Sequence, residues 1–386
     1  MSAARAHPAG PAAQSTWPHV AHVAAHYPPY VGGMEHATRE LSVRMVRHAQ
    51  SVTVVTTDVG ARRTARREVV DGVTVRRHRG VRIFGVTVAP GLFLGVLRLP
   101  RNSLVHVHVA HAFVLELVRL ACWLRRFRYV VTFHLDVDRS GPFGWLLPTY
   151  KRYVLGPSMR AAARVIALTP DMAEFLIAFY GVDRSRVAVV GNGVDAHFAG
   201  DLPAGPAGDP ARPLRLVFVG RLVVQKNLAR LLRALALVAA PVEVALVGDG
   251  VERARLVDLA TELALDNVQF VGEQPHEQVA KWLRWADVFV CTSDAEGMPL
   301  AVLEALAGGV PVVATRSDGM AELVGDAGLV VEPSPQALAA AIDRIAAEPA
   351  LLRRLGERTA ARVAGRTWAA VAAETRRQYD YAGLRR

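Results

Sequence analysis

The chain has 386 residues, of which 52% are hydrophobic and 21% charged, so it is long enough for two domains with buried cores and too apolar to be disordered. Its formal net charge of +11 at pH 7 favours anionic partners such as nucleotide diphosphates, acidic membrane surfaces or nucleic acid. Two distant cysteines, Cys122 and Cys291, exclude a disulfide framework and a cysteine zinc site, and suit a reducing cytoplasm. With no run of 18 or more uncharged apolar residues, we expect no transmembrane helix.

The first half of the chain alternates strand-like and helix-like patterns. Residues 1–18, rich in Ala and Pro, are predicted to be a disordered tail. Strands are predicted at 20–26, 51–57, 73–77, 104–109, 129–133, 165–168 and 187–190. Because helix-length segments separate them, residues 19–200 are predicted to form a doubly wound domain with a parallel sheet.

A second alternation follows a segment dense in Pro and Gly at 201–213, which we interpret as a linker. Strands are predicted at 214–219, 242–247, 268–271, 288–291, 311–314 and 329–331, within a second domain at 214–365. Residues 366–386 are predicted to form a terminal helical segment. The predicted fold class is therefore α/β, with two Rossmann-like domains facing a cleft, where the ends of the strands would hold a ligand.

A strand–loop–helix unit at 288–305 is the most informative stretch. Pro299 is predicted in the first helical turn, so the loop offers backbone N–H groups as a seat for an anion. Glu296 and Glu304 flank this seat, and carboxylates accept hydrogen bonds from sugar hydroxyls. This pattern fits a nucleotide-sugar. The alternative is an ordinary amphipathic helix with one capping and one surface glutamate.

Two cations follow the first strand of the second domain. Arg221 and Lys226 lie in the segment 220–227 and together offer charges and hydrogen-bond donors that match a diphosphate. The alternative is a pair of solvated surface cations in a basic protein.

Three further loops of the first domain follow predicted strands. Gly32-Gly33-Met34-Glu35 opens a helix and differs from the dinucleotide pattern G-x-G-x-x-G, which argues against a dehydrogenase. His134 ends the strand at 129–133, a place where a lone histidine is often structural. Asn192-Gly193 is a strong turn signal after the strand at 187–190.

In this order the motifs resemble those of the retaining glycosyltransferases of family four, also known as glycosyl transferases group 1, which have the GT-B fold. The resemblance extends from about His22 to the final helix. It implies catalytic roles for His134, Arg221, Lys226 and Glu296. It implies contacts to the donor sugar nucleotide by Gly33, Gly220, Gly248, Val271, Gly297, Met298, Pro299, Leu300 and Glu304. It places Gly32, Glu35, Asp136 and Asn192 on the acceptor side.

The resemblance implies that the first domain binds the acceptor, the second binds the nucleotide-sugar, and the final helix packs back on the first domain. The expected reaction is transfer of a hexose, of glucose or N-acetylglucosamine type, with retention and without a cofactor or metal. A UDP-sugar is the expected donor. The acceptor hydroxyl is expected on a secondary metabolite or a lipid-linked or polysaccharide intermediate, which fits carbohydrate or antibiotic biosynthesis in the cytoplasm.

Two patterns imitate metal sites. Asp136 and Asp138 form a D-x-D, but two carboxylates alone make a poor site. His106, His108 and His111 lack a fixed geometry, so no zinc is expected. The basic aromatic segments at 123–128 and 145–153 fit either a peripheral membrane contact or a solvated face.

Two rival functions remain open. One is a GT-B-fold epimerase or phosphorylase. The other is a non-catalytic basic protein that binds anionic lipid or nucleic acid, whose affinity should fall steeply with salt.

Overall fold

The computed structural model describes residues 17–83, 86–110, 112–136, 145, 147–198 and 212–384. Almost all of the predicted N-terminal tail and most of the predicted linker lie outside these residues, as do His111 and Asp138.

The first half forms an eight-stranded sheet in the order β10-β9-β8-β7-β1-β2-β4-β3. Its elements are β1 (His19–Val23), α1 (Gly33–Met45), β2 (Val52–Thr57), β3 (Arg67–Val70), β4 (Val73–His78), β5 (Val81–Ile83), β6 (Val86–Val88), α2 (Gly91–Leu97), β7 (Ser103–Val109), α3 (Val114–Arg125), β8 (Arg128–Phe133), α4 (Leu147–Tyr150), α5 (Gly156–Arg160), β9 (Arg164–Ala167), α6 (Pro170–Ala178) and β10 (Val187–Val189). A π-helical turn, Lys151–Leu155, joins α4 to α5. Strands β1, β2 and β7 are buried along their whole length, as expected for parallel strands covered by helices on both faces.

The second half forms a six-stranded parallel sheet in the order β13-β12-β11-β14-β15-β16. Its elements are β11 (Leu214–Val219), α7 (Leu228–Leu235), β12 (Val242–Val247), α8 (Arg253–Glu262), β13 (Val268–Gly272), α9 (His276–Trp285), β14 (Val288–Cys291), α10 (Leu300–Ala307), β15 (Val312–Thr315), α11 (Met320–Val324), β16 (Gly328–Val331), α12 (Pro335–Ala347), α13 (Pro349–Val363) and α14 (Trp368–Leu384). The order reverses between β11 and β14, which makes this gap the switch point where ligands of doubly wound sheets bind. The predicted fold class is confirmed.

The final helix α14 lies across the first sheet. Tyr379 and His106 hydrogen-bond through the hydroxyl and Nδ1 at 2.6 Å. Arg164 donates from Nε to Gln378 at 2.8 Å. The end of the chain is thus fixed to strands β7 and β9 of the first half.

Surface features bear on membrane contact. Trp145 and Tyr153 are 74% and 66% exposed, so the aromatic segment does reach solvent. Among the residues described, no helix is both long enough and apolar enough to cross a bilayer. The peripheral contact stays a prediction.

Candidate active site

The loops that follow β11 and β14 meet at the switch point of the second sheet. Lys226, at the end of the first loop, forms an ion pair from Nζ to Oε1 of Glu296 in the second loop. The Thr292 hydroxyl donates to the Lys226 carbonyl at 2.9 Å. Strand order therefore brings together a cation and a carboxylate that are 70 residues apart in sequence.

A network that the sequence did not reveal holds these two loops together. Arg230 donates to the Thr292 carbonyl at 2.9 Å and to Asp294 Oδ1 at 2.7 Å. Gln225 donates from Nε2 to the Ala295 carbonyl at 2.7 Å. These residues fix the backbone on either side of Lys226 and Glu296 and so preorganise the pair.

Helix α10 begins one residue later than predicted. Pro299 has ψ 121°, so it precedes the helix and Leu300 is the first helical residue. Glu304 lies in α10 and is buried, with its carboxylate close to the cleft residue His276. The segment between Glu296 and Glu304 is therefore part loop and part helix.

Loops of the first half contact the loop before α10. A Cβ atom at Gly297 would lie 1.8 Å from the carbonyl oxygen of His134, so the two backbones touch. Gly33 faces Leu300, whose Cδ1 would be 3.8 Å from a Cβ atom there. His134 and Gly33 thus lie on the opposite wall of the cleft from Glu296.

Asn192 also contacts the loop before α10. It donates from Nδ2 to the Met298 carbonyl at 2.9 Å, and its backbone N–H points at the Met298 sulfur at 3.1 Å. Its placement on the acceptor side stays a prediction, whereas its contact with the predicted donor loop is direct.

Arg221 lies across the cleft from Glu35. Burial raises the pKa of Glu35, while its hydrogen bond to its own backbone and the positive charge of Arg221 oppose that rise. The Glu35 carboxylate occupies the space beside Gly32, where a Cβ atom would lie 2.2 Å from Oε2. Arg221 itself is exposed, so its guanidinium is open to an incoming ligand.

The glycines of the second domain serve loop packing. A Cβ atom at Gly248 would lie 2.0 Å from the Gly220 carbonyl oxygen, and both glycines have positive φ, 138° and 153°. Gly248 also donates to the Gly272 carbonyl at 2.8 Å. Val271 is half-buried and is the last residue but one of β13, directly before Gly272. Their predicted contacts with a nucleotide stay predictions.

Asp136 has two protein partners. It pairs through Oδ2 with Lys151 and accepts at Oδ1 from the Tyr180 hydroxyl at 2.7 Å. These bonds join the segment after β8 to the π-helical turn Lys151–Leu155 and to the segment after α6. An acceptor contact by Asp136 stays a prediction.

Two sequence models of known families match the chain. The family described as Glycosyltransferase Family 4 matches residues 31–198, and the family described as Glycosyl transferases group 1 matches residues 207–362. Together they span both halves of the cleft. The chain belongs to glycosyltransferase family four.

Individual relatives of this family-four chain are D-inositol 3-phosphate glycosyltransferases. That of Frankia alni is 34% identical over 271 residues, 64% of either chain. A second, from Catenulispora acidiphila, is 36% identical over 240 residues, 57% of this chain and 56% of that one. The chain therefore spans less than two thirds of the length of these curated relatives.

Solved structures share the fold across nearly the whole family-four chain. Sucrose-phosphate synthase of Thermosynechococcus elongatus superimposes with a TM-score of 0.77 at 23% identity, covering 95% of this chain and 99% of that one. HepE of Anabaena in complex with UDP-glucose gives a TM-score of 0.75 at 19% identity, covering 94% and 99%. At these identities the likeness shows the GT-B fold, as the motifs implied.

A row of buried imidazoles supports His134 from behind. His134 Nε2 lies 3.0 Å from His108 Nδ1, and His108 Nε2 lies 3.0 Å from His22 Nδ1. His106 beside them bonds to Thr132 at 2.7 Å and to Tyr379. The pair His106 and His108, considered above as metal ligands, has protein partners at all four ring nitrogens.

Burial lowers the pKa of His22 to about 3 and that of His134 to about 4. An unfolded histidine has a pKa of about 6.5. Below about pH 6.5 these histidines bind protons in the unfolded chain but stay neutral in the folded chain. Each such histidine therefore lowers the free energy of unfolding by about 1.4 kcal/mol for each unit by which the pH falls below its unfolded pKa.

We expect the urea midpoint of the chain to fall as the pH is lowered from about 6.5 to 5. His22→Asn, whose amide can replace the Nδ1 contact to His108, should reduce that slope by about one proton. Unfolding curves recorded across this range test both statements. If stability depends on pH equally in wild type and variant, the lowered pKa of His22 is contradicted.

A second chain of polar side chains crosses the cleft beside Glu304, and no sequence pattern predicted it. His276 Nε2 donates to Glu304 Oε1 at 2.8 Å, and its Nδ1 lies 3.7 Å from Asp195 Oδ2. His36 Nε2 donates to the same Asp195 oxygen at 2.8 Å. Only tertiary contact brings these four residues together.

The pKa values in this chain follow the pairing. Burial works to lower the pKa of His276, but the Glu304 bond and the nearby carboxylates raise it above its ordinary value. Burial works to raise the pKa of Asp195, but the bond from His36 and the neighbouring histidines hold it below its ordinary value.

Proposed function

We propose that the chain is a retaining, metal-independent glycosyltransferase that moves a hexose from a UDP-sugar to an acceptor hydroxyl. The observation that carries this proposal is the Lys226–Glu296 pair at the switch point, directly beside the backbone contact of Gly297 with His134. A carboxylate for sugar hydroxyls and a cation for phosphate lie side by side, as a nucleotide-sugar requires.

The donor would lie along the cleft with its diphosphate near Lys226 and Arg221. Both cations would stabilise the negative charge that develops on the departing diphosphate. Glu296 would hold hydroxyls of the hexose, and Glu304 would hold the ribose. His134 and its carbonyl would face the anomeric carbon from the other wall.

Retention would follow from attack on the face that the diphosphate leaves. The acceptor hydroxyl would pass its proton to an oxygen of the leaving phosphate, so the C–O bond to the acceptor forms as the C–O bond to phosphate breaks. The proposal needs no covalent enzyme intermediate. Closure of the two halves over the donor would exclude water from the reacting centre.

The acceptor would bind to the first half of the chain. The relatives named above act on D-inositol 3-phosphate, which makes a cyclitol or other polyol hydroxyl the first acceptor class to examine. The other acceptor classes to examine are alcohols of secondary metabolites and lipid-linked or polysaccharide intermediates.

A screen of donors and acceptors tests the proposal. UDP-glucose, UDP-N-acetylglucosamine and GDP-sugars are offered with inositol, D-inositol 3-phosphate and lipid-linked acceptors, and nucleotide release is followed in EDTA. We expect acceptor-dependent release of UDP and a product with the donor's anomeric configuration. Release of free sugar without an acceptor, or a need for free phosphate, would indicate an epimerase or a phosphorylase.

Glu304→Gln keeps the size of the side chain but removes the charge that would hold ribose hydroxyls. Because hydrogen bonds to a charged group contribute about 1.5–3 kcal/mol, we expect the affinity for UDP to fall about 10- to 100-fold. Calorimetric titration with UDP measures this change. Glu277→Gln, an exposed glutamate next to His276, is the matched control and should bind UDP like wild type.

A further inference from the structure

Three side chains from separate segments bring metal-ligating atoms together beside Glu304. His36 lies on α1, Asp195 in the segment after β10, and His276 at the start of α9. His36 Nε2 and His276 Nδ1 lie 2.8 and 3.7 Å from Asp195 Oδ2, and all three ligand atoms are within 4.8 Å of one another. The two histidines come from opposite halves of the chain.

We propose that His36, Asp195 and His276 form a binding site for a divalent cation of the zinc class, which joins the two domains next to the sugar-nucleotide cleft. Zinc binds histidine and carboxylate at about 2.0–2.2 Å, so two ligands of a tetrahedral site lie about 3.3 Å apart. The separations of 2.8 and 3.7 Å lie on either side of that value, so small side-chain shifts admit the ion.

A second observation points to a metal at this place. Histidines that ligate zinc usually donate their other ring N–H to a carboxylate, a backbone carbonyl or a water, which fixes the tautomer. His276 has this arrangement, because Nε2 donates to Glu304 Oε1 at 2.8 Å. In the neutral imidazole the lone pair of Nδ1 is thereby left on the side that faces Asp195 and His36.

Access and donor type define the kind of ion. The side chains of His36, Asp195 and His276 are 22%, 14% and 35% exposed, so an ion can enter and keep a water as its fourth ligand. Two imidazoles and one carboxylate suit zinc, cobalt or nickel better than magnesium or calcium. This cation would not bind the donor diphosphate, which is the proposed role of Lys226 and Arg221.

The buried histidine row differs from this site. His106 and His108 have protein partners at every ring nitrogen, so an ion there would have to break hydrogen bonds among buried groups. At the site between the domains, an ion would replace the partly exposed His36–Asp195 hydrogen bond, and the His276 Nδ1 to Asp195 contact is already longer than a hydrogen bond.

Cobalt provides a direct readout that needs no activity. The untagged full-length chain, stripped with EDTA and dialysed, is titrated with Co²⁺ while its visible absorption is recorded, and then with Zn²⁺ by calorimetry. We expect one equivalent to bind, with the absorption of four-coordinate cobalt and its loss on addition of zinc. Binding without that saturable stoichiometry, or no binding, would overturn the proposal.

Variants assign the ligands. His36→Gln and Asp195→Asn remove one ligand each, and we expect either to lower the zinc affinity by more than 100-fold. Glu304→Gln removes the carboxylate behind His276 and should lower it about 10- to 100-fold. His197→Gln changes an exposed histidine that contacts the His276 ring and is not one of the three proposed ligands, so its zinc affinity should stay within about threefold of wild type.

These outcomes remain separable from the proposed function. Equal zinc affinity of wild type, His36→Gln and Asp195→Asn, each verified as folded by circular dichroism, would overturn the site even if the chain transfers sugar. Conversely, stoichiometric binding that these variants abolish supports the site whatever the screen of donors finds.

Discussion

Lys226→Ala is expected to lower kcat/KM for sugar transfer by about 10²- to 10³-fold, as removal of one preorganised group that stabilises transition-state charge typically does. The ammonium group is fixed before the donor arrives by its pair with Glu296 and by the Thr292 bond to its carbonyl. The loss should therefore appear mainly in the chemical step. Initial rates with the UDP-sugar found by the screen measure it.

The chain offers a matched control for this change. Lys281 is exposed on α9, away from the loops of the switch point, and Lys281→Ala should transfer sugar at the wild-type rate. Circular dichroism and thermal unfolding of both variants exclude misfolding as the cause. Full activity of a folded Lys226→Ala would show that the cation does not act on the leaving group.

Gly297→Ala is expected to reduce transfer about 10²-fold through geometry alone, since a displacement of about 1 Å near a reacting centre has effects of that size. The new Cβ atom would lie 1.8 Å from the His134 carbonyl oxygen, and backbone cannot rotate away as a side chain can. The loop that carries Glu296 must then separate from His134. Both KM and kcat should worsen, and residual nucleotide binding should remain measurable.

Gly356→Ala is the control for an added methyl group. Gly356 lies in helix α13, and the Gly309 carbonyl oxygen would be 3.6 Å from the new Cβ atom, which is an ordinary contact. Alanine in a helix is about 0.5–1 kcal/mol more stable than glycine, so this variant should be active and slightly more stable. Wild-type activity of Gly297→Ala would mean that the cleft adjusts freely at this contact.

The sequence was most informative where strands are buried on both faces. The predicted bounds 214–219, 242–247 and 288–291 coincide with β11, β12 and β14, because a parallel strand under two layers of helices is a mainly apolar run, interrupted here only by Arg215 and Glu243. The short strands β3, β5 and β6 were missed. β3 is mostly exposed and joins β4 through Asp71 and Gly72, both with positive φ, so it shows little apolar pattern.

Parts of the site that depend on register or on contact between the halves could not be predicted. His106 and His108 share a strand face, which the sequence indicates, but the alignment of His22 with His106 requires the pairing of β1 with β7. The bond between His276 and Glu304 joins two helices whose distance no local pattern encodes. Pro299 was predicted in the first helical turn but precedes α10, because proline suits both an extended residue before a helix and a first helical residue.

Calorimetric titration with UDP in EDTA tests the central claim most directly, namely that the cleft between the halves holds a nucleotide diphosphate with side-chain cations in place of a metal. We predict binding of one UDP per chain, unchanged by added Mg²⁺ and at least about tenfold weaker in Lys226→Ala and Arg221→Ala, since each would lose a charge-assisted contact. Binding that requires Mg²⁺, or that is equally tight in both variants, would contradict the account.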